Sequence, residues 1–271
     1  MKIALSMRKI APLYALQAGW VRYKNRAGMY TAFTVLMLIL SMVAGGVSTS
    51  IGSVFSGIPF LERSIVAILT SVFGALISMG WYHFARKDEQ GLDVEFGDFF
   101  DGFKVNARQL IAVSVIIALI SQLFTLVVPS EMLSLTIDEQ TQDPEELMMM
   151  FQDLKEVYLA NINSILIFAV ISTVFGLSVL FAQYRASLEG EDPLTAIQWS
   201  AAHVLPNTLR IIVLFIAVIA VAALVVVFTL GLGLLVAVPW ISLSFYDAYN
   251  QLLPEPEVPS TLDQEFTAGD D

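Results

Sequence analysis

Five long stretches of this chain contain no Asp, Glu, Lys or Arg: the residues between Arg26 and Glu62, then Ser64–Ala85, Gln109–Ser130, Val157–Tyr184 and Ile211–Tyr246. A helix that crosses the apolar core of a bilayer needs roughly 17–25 mostly apolar residues. Each of the first four stretches therefore holds one span. A single helix over the fifth would be about 54 Å long at 1.5 Å per residue, too long for an apolar layer of about 30 Å. "TLGLG" (229–233) falls in its middle, and paired glycines suit a tight turn, so the fifth stretch reads as two spans. The expectation is an all-α integral membrane protein with spans at about 29–47, 64–84, 109–128, 160–183, 211–229 and 233–250. Composition agrees. The 271 residues are 56% hydrophobic and 14% charged, where a soluble domain carries about 25% charged residues.

The basic residues orient these spans. Of the 14 Lys and Arg, only Arg63 and Lys155 fall outside the N-terminal segment and the loops that follow spans two and four. Cytoplasmic loops carry the excess of Lys and Arg, so both the N-terminus and, with an even number of spans, the C-terminus are expected in the cytoplasm. Residues 131–160 then form the main external element. In "DPEELMMMFQDLKEVY", Asp143 suits an N-cap and Pro144 the first helical position, and this helix is expected to run into span four. Residues 1–252 read as one polytopic domain, and 253–271 as a disordered acidic tail rich in proline. The opening apolar run "IALSM" is too short for a cleaved signal, and basic residues continue past it.

Three similar phrases precede spans one, three and five: "GWVRYKNRAGMYTAF" (19–33), "GFKVNARQLIAV" (102–113) and "AAHVLPNTLRIIVLF" (201–215). They place Asn25, Asn106 and Asn207 at equivalent joints. The exits match too: "SVFGALISMGWYHFAR" and "TVFGLSVLFAQYRAS" set Tyr82 and Tyr184 eight residues after Gly74 and Gly176, and Tyr246 ends span six in a comparable place. The pattern predicts three helical hairpins as an internal repeat. Each joint follows an amphipathic segment. Phe96, Phe99, Phe100 and Phe103 recur at helical spacing with Asp93, Glu95, Asp98 and Asp101 between them. Asp192 and Pro193 can start a helix that aligns Leu194, Ile197, Ala201 and Val204. Ile10, Leu13, Tyr14, Trp20 and Val21 form a looser stripe. Such helices lie along the headgroup layer, with the asparagine capping the turn into the membrane.

Little chemistry is visible. The spans hold no ionisable side chain, the usual mark of ion or proton coupling. Gln122, Asn163 and Gln183 are the candidates for a polar path or for helix contacts, and Gly74 and Gly176 for close packing. No cysteine is present, which excludes disulfides and thiolate metal sites. His83 and His203 lack further ligands at zinc spacing. No Walker A, GxSxG or HExxH motif occurs, so neither cofactor nor metal is expected. The net charge of −11 disfavours nucleic acid as a partner.

"GWVRYKN", "FFDGFK", "DPLTAIQWSAAHVLPNTLRIIVLF" and "GLGLLVAVPWISLSFYDAYNQL" together resemble the YciC-like group of uncharacterised six-helix bacterial inner-membrane proteins. That group is similar to the membrane domain of some glycerophosphodiester phosphodiesterases. The resemblance spans about residues 10–252 and implies a bacterial cytoplasmic membrane protein. It brings no catalytic residues, because the phosphodiesterase chemistry belongs to a separate soluble domain. The expected role is a non-enzymatic scaffold, accessory subunit or envelope-homeostasis factor, with membrane lipids and a protein partner or second copy as its contacts. The alternative is a transporter or channel for a small or lipidic solute.

Overall fold

The structure is a computed structural model that describes residues 8–127 and 144–254. Every regular element among them is helical. α1 (Pro12–Asn25) precedes the long pair α2 (Ala27–Ser53) and α3 (Pro59–Glu89). A 3₁₀ turn over Phe96–Phe103 leads into α4 (Ala107–Phe124), which tightens into 3₁₀ geometry over Thr125–Val127. α5 (Pro144–Ala160), α6 (Ile162–Val179) and α7 (Ala182–Leu188) bring the chain back. α8 (Pro193–Val204) is followed by α9 (Thr208–Phe228) and α10 (Leu234–Asn250). Five helical segments are long and apolar enough to cross a membrane: Ala27–Ser53, Pro59–Glu89, Ala107–Val127, Ile162–Leu188 and Pro193–Phe228.

The chain does reverse at the glycine turn. Leu230 and Gly231 both have positive φ, 52° and 93°, and the Thr229 hydroxyl accepts from the Gly233 N–H at 2.7 Å. α10 then returns to the end of the bundle from which α9 set out. Asn207, beside the start of α9, bonds Ile10, and Gln251, just past α10, accepts from the neighbouring Ala11 N–H at 2.6 Å. α10 is 17 residues long, at the short limit for a span.

α1 does not lie loose on a surface. It packs across α10 at Gly19, where an added Cβ would fall 2.7 Å from the Ser244 backbone nitrogen. The Trp240 indole donates to the Leu16 carbonyl at 3.1 Å beside this crossing. Leu13 and Tyr14 stay exposed on the other side of α1.

The phenylalanine segment differs from expectation in its backbone. Its spacing suggested an α-helix with phenylalanines toward lipid, but the backbone is 3₁₀. Three residues per turn align Phe96, Phe99 and Gly102, and Gly102 has no side chain to hold that face off α3. Phe99 is fully buried, stacked 4.2 Å from both Phe33 and Phe84. Gly80 and Gly102 permit this approach: a Cβ on Gly80 would lie 2.0 Å from the Phe99 carbonyl oxygen, and one on Gly102 would lie 2.4 Å from that of Leu76. Asp101, expected on the wet side, is buried and pairs with Lys87 at 2.6 Å.

Gly74 and Gly176, expected to be packing positions, face outward with nothing within 4 Å of an added Cβ. The closest backbone approaches between helical segments occur instead at Gly19, Gly80 and Gly102. α5 begins at Pro144 as its sequence suggests. Its run into α6 is broken at Asn161, whose amide turns back to the Val157 carbonyl at 2.9 Å. The proposed cap Asp143 and the acidic tail beyond Pro254 lie outside the described residues.

Candidate functional site

The polar chemistry of the described residues concentrates at one end of the bundle, where α1, the C-terminal parts of α3 and α10, α7 and α8 meet. The charge pattern of the sequence builds it, since Arg and Lys flank the spans on this side and acids follow each exit tyrosine. Arg22 of α1 donates to Glu89 of α3 at 3.3 Å and to Asp247 of α10 at 3.1 Å. The Tyr246 hydroxyl donates to the other oxygen of Glu89 at 3.0 Å. Burial alone would make Arg22 easier to deprotonate, but Asp247, then Glu89, outweigh it and hold the guanidinium charged.

A second set is centred on Glu189, after α7. Arg86 donates to it at 2.6 Å and Tyr249 at 3.0 Å, while Arg86 also donates to the Leu188 carbonyl at 2.9 Å. Burial would raise the Glu189 carboxyl, yet the hydrogen bond and charge of Arg86, with Tyr249 and Arg185, leave it below the usual carboxylate range. Lys87 bridges Asp98 at 2.7 Å and Asp101. Asp98 is likewise lowered: burial opposes, but Lys87 and the Glu95 N–H prevail. Arg185 pairs with Glu191 and lies 4.5 Å over Trp199, which stacks on His203 at 4.2 Å.

The three exit tyrosines converge beneath these charges. The Tyr82 ring lies 4.4 Å from that of Tyr184 and 6.1 Å from that of Tyr246, and Tyr249 packs 5.3 Å from Tyr184. α3, α7 and α10 are thereby joined through aromatic faces, a contact geometry worth about 0.5–1.5 kcal/mol per pair beyond area burial.

The joint asparagines behave differently from one another. Asn106 and Asn207 do stand at the N-caps of α4 and α9, but neither side chain caps its helix. Asn106 takes a left-handed backbone, φ 51°, which turns its amide away from the helix to donate to the Ser187 carbonyl at 2.8 Å. Asn207 is buried and fully engaged. Its amide nitrogen donates to the Arg8 carbonyl at 3.1 Å and the His203 carbonyl at 2.9 Å. Its oxygen accepts from the Ile10 N–H at 3.2 Å and from Arg210 at 3.3 Å. Asn25 is the last residue of α1 and exposed, and Arg26 occupies the N-cap of α2. Two of the three asparagines are therefore clamps between distant segments rather than caps. Of the expected caps among the described residues, only Asp192 caps, accepting from the Leu194 N–H at 3.2 Å.

Gln122, Asn163 and Gln183 are not brought together. Gln183 donates to Ser114, midway along α4, at 3.2 Å. Gln122 lies eight residues further on, about 12 Å along the helix, and Asn163 is exposed at the start of α6. Gln122 instead lines a cleft of about 750 Å³ between α3 and α4 with Glu62, Arg63, Thr70 and Thr125.

Sequence reasoning missed the pair His83 and Ser187, which share a 2.8 Å hydrogen bond between α3 and α7. Such a pair is the core of a nucleophile–base arrangement. Here Ser187 is 0% exposed and His83 6%, so the hydroxyl meets protein on every side and works as a helix tie. Among the described residues no group of three His, Asp or Glu is arranged to hold a metal ion.

What the geometry defines is a class: an all-helical, multi-pass membrane architecture, closed at one end by ion pairs and stacked aromatics. No family model, curated protein or solved structure matches the chain.

Proposed function

We propose that this chain is a non-enzymatic scaffold or accessory subunit of the bacterial cytoplasmic membrane, with a role in envelope homeostasis, working through lipid and partner-helix contacts. α10 is its sixth span, the three hairpins form a repeat, and both ends of residues 1–252 face the cytoplasm. YciC-like membership is part of the same reading. One observation carries it. The helices are locked together at the ion-paired end, yet only 17% of the most apolar stretch is buried in Ala27–Ser53, Ile162–Leu188 and Pro193–Phe228, against 39% in Pro59–Glu89. Much of each span therefore presents side chains to its surroundings, as a protein that docks other helices or lipids requires. Purification in mild detergent should yield a defined homo-oligomer or a stoichiometric co-purifying protein. A lone monomer with nothing bound would refute this reading.

The cleft around Gln122 favours the second reading, a transporter or channel for a small or lipidic solute. Glu62→Gln and Gln122→Leu should then abolish solute flux in proteoliposomes without loss of fold. Unchanged flux would dismiss it.

A further inference from the structure

We propose that the notch between Arg8–Lys9 and the start of α9 binds the phosphate of an anionic phospholipid. The notch holds about 270 Å³ and is lined by Arg8, Lys9, Pro206, Asn207, Leu209 and Arg210. Three cations face it, and its lining holds no carboxylate. Elsewhere at this end Arg22, Arg26, Arg86, Lys87 and Arg185 each face a carboxylate within 4 Å. Arg8, Lys9 and Arg210 face none among the described residues, so their charge is available to a ligand. Asn207 sets the spacing. Its side chain is spent on the Arg8 carbonyl, the Ile10 N–H, His203 and Arg210, which fixes the N-terminal segment against α9 and leaves the cations to face the ligand. Arg8 commits one N–H group to the Leu253 carbonyl and Arg210 one to Asn207. A guanidinium has five, and the remainder suit phosphate oxygens in the two-pronged geometry arginine prefers.

A lipid fits better than free phosphate because of what adjoins the notch. Leu209, part of its lining, is 75% exposed. Val213 and Ile216 continue from it at helical spacing along the outer side of α9 and are exposed as well. A headgroup in the notch would lay its acyl chain on this stripe.

The inference rests on the reading of the chain as bilayer-embedded. Its test counts retained lipid rather than protein partners, so the two fail separately. The full chain in detergent is titrated with phosphatidylglycerol or phosphatidylcholine and followed by native mass spectrometry. Phosphatidylglycerol should be retained about tenfold or more in preference, and Arg8→Gln with Arg210→Gln should bring that preference near unity, each basic residue at an anionic surface counting for several-fold. Lys9→Gln, whose side chain forms no bond within the described protein, should weaken it by about fivefold and keeps the test decisive should loss of Arg8 loosen the N-terminus. Equal retention of the two lipids, or a preference unchanged in all variants, overturns the proposal. Displacement of phosphatidylglycerol by millimolar inorganic phosphate would assign the notch to the free ion. Binding seen only after removal of residues 255–271 would assign it to the chain's own acidic segment. Either result overturns the lipid.

Discussion

Replacing Gly80 with alanine tests the closeness of the aromatic end most directly. The new Cβ would lie 2.0 Å from the Phe99 carbonyl oxygen and 2.9 Å from the Phe33 ring. Relief requires the Phe99 backbone to retreat by about 1.5 Å to reach a normal contact distance near 3.5 Å. Phe99 cannot retreat freely, because it is stacked at 4.2 Å on Phe33 and on Phe84. Overpacking of a filled site costs typically about 1–3 kcal/mol, and an obstacle made of backbone belongs at the upper end. Alanine returns about 1 kcal/mol of helix propensity, leaving a net loss of about 2 kcal/mol. For a chain of this size that is about 4–8 °C in Tm. The assay is a thermal melt in one detergent at one scan rate, read by tryptophan fluorescence, since Trp81 is the next residue. Gly74→Ala is the control: it lies in the same helix with nothing within 4 Å, and should hold or raise Tm. A Gly80→Ala protein as stable as the Gly74→Ala protein would refute the close packing of the 96–103 turn on α3.

Asn207→Ala should leave the Ile10 N–H and the Arg8 and His203 carbonyls unpaired, at about 1–3 kcal/mol for each group that stays buried. Hydrogen exchange at Ile10 and Ala11 should quicken by about tenfold or more, and unchanged protection would dismiss the clamp. Arg22→Met should strip Asp247 and Glu89 of their cation and cost about 3–5 kcal/mol. Adding Asp247→Leu should recover part of that loss, and strictly additive costs would mean the pair does not couple. Glu189 has a lowered carboxyl, so its contribution is complete above the unfolded value of about 4.3 and is lost as pH falls through the lower folded value. Tm should decline between about pH 5 and 3, and less steeply in Glu189→Gln, by about 1 kcal/mol or less because the pair is partly exposed. Equal declines would remove Glu189 from the acid response.

The large features were legible because they depend on long, repeated signals. Uncharged runs located the five apolar segments long enough to cross a membrane, Pro144 and Asp192 marked helix starts, and the glycines at 231–233 marked the reversal. The matching of Tyr82, Tyr184 and Tyr246 suggested a repeat, and gave no sign that their rings stack on one another. What the sequence withheld was direction. The phenylalanine spacing fits an α-helix facing lipid as well as a 3₁₀ turn facing α3, and only the missing side chains at Gly80 and Gly102 decide between them. The joint asparagines suggested caps because capping is local. Their actual partners are far along the chain, as with Asn207 and Arg8, and no local pattern encodes such pairings. His83 and Ser187 likewise sit 104 positions apart, with no shared motif to join them.

The clasp of α1 by α10 orders events during synthesis. Arg22, Glu89 and Asp247 come from α1, α3 and α10, and Arg8 reaches the Leu253 carbonyl only once the residues after α10 have been made. Until α10 emerges from the ribosome, α1 has no Ser244 or Trp240 to rest on, and Arg22 lacks half its counter-charge. The contacts between α1 and α10 therefore form late, only after every preceding helix has been made. A chain stalled before α10 would display an open set of charges and aromatics, a distinct surface by which membrane quality control could tell unfinished copies from complete ones.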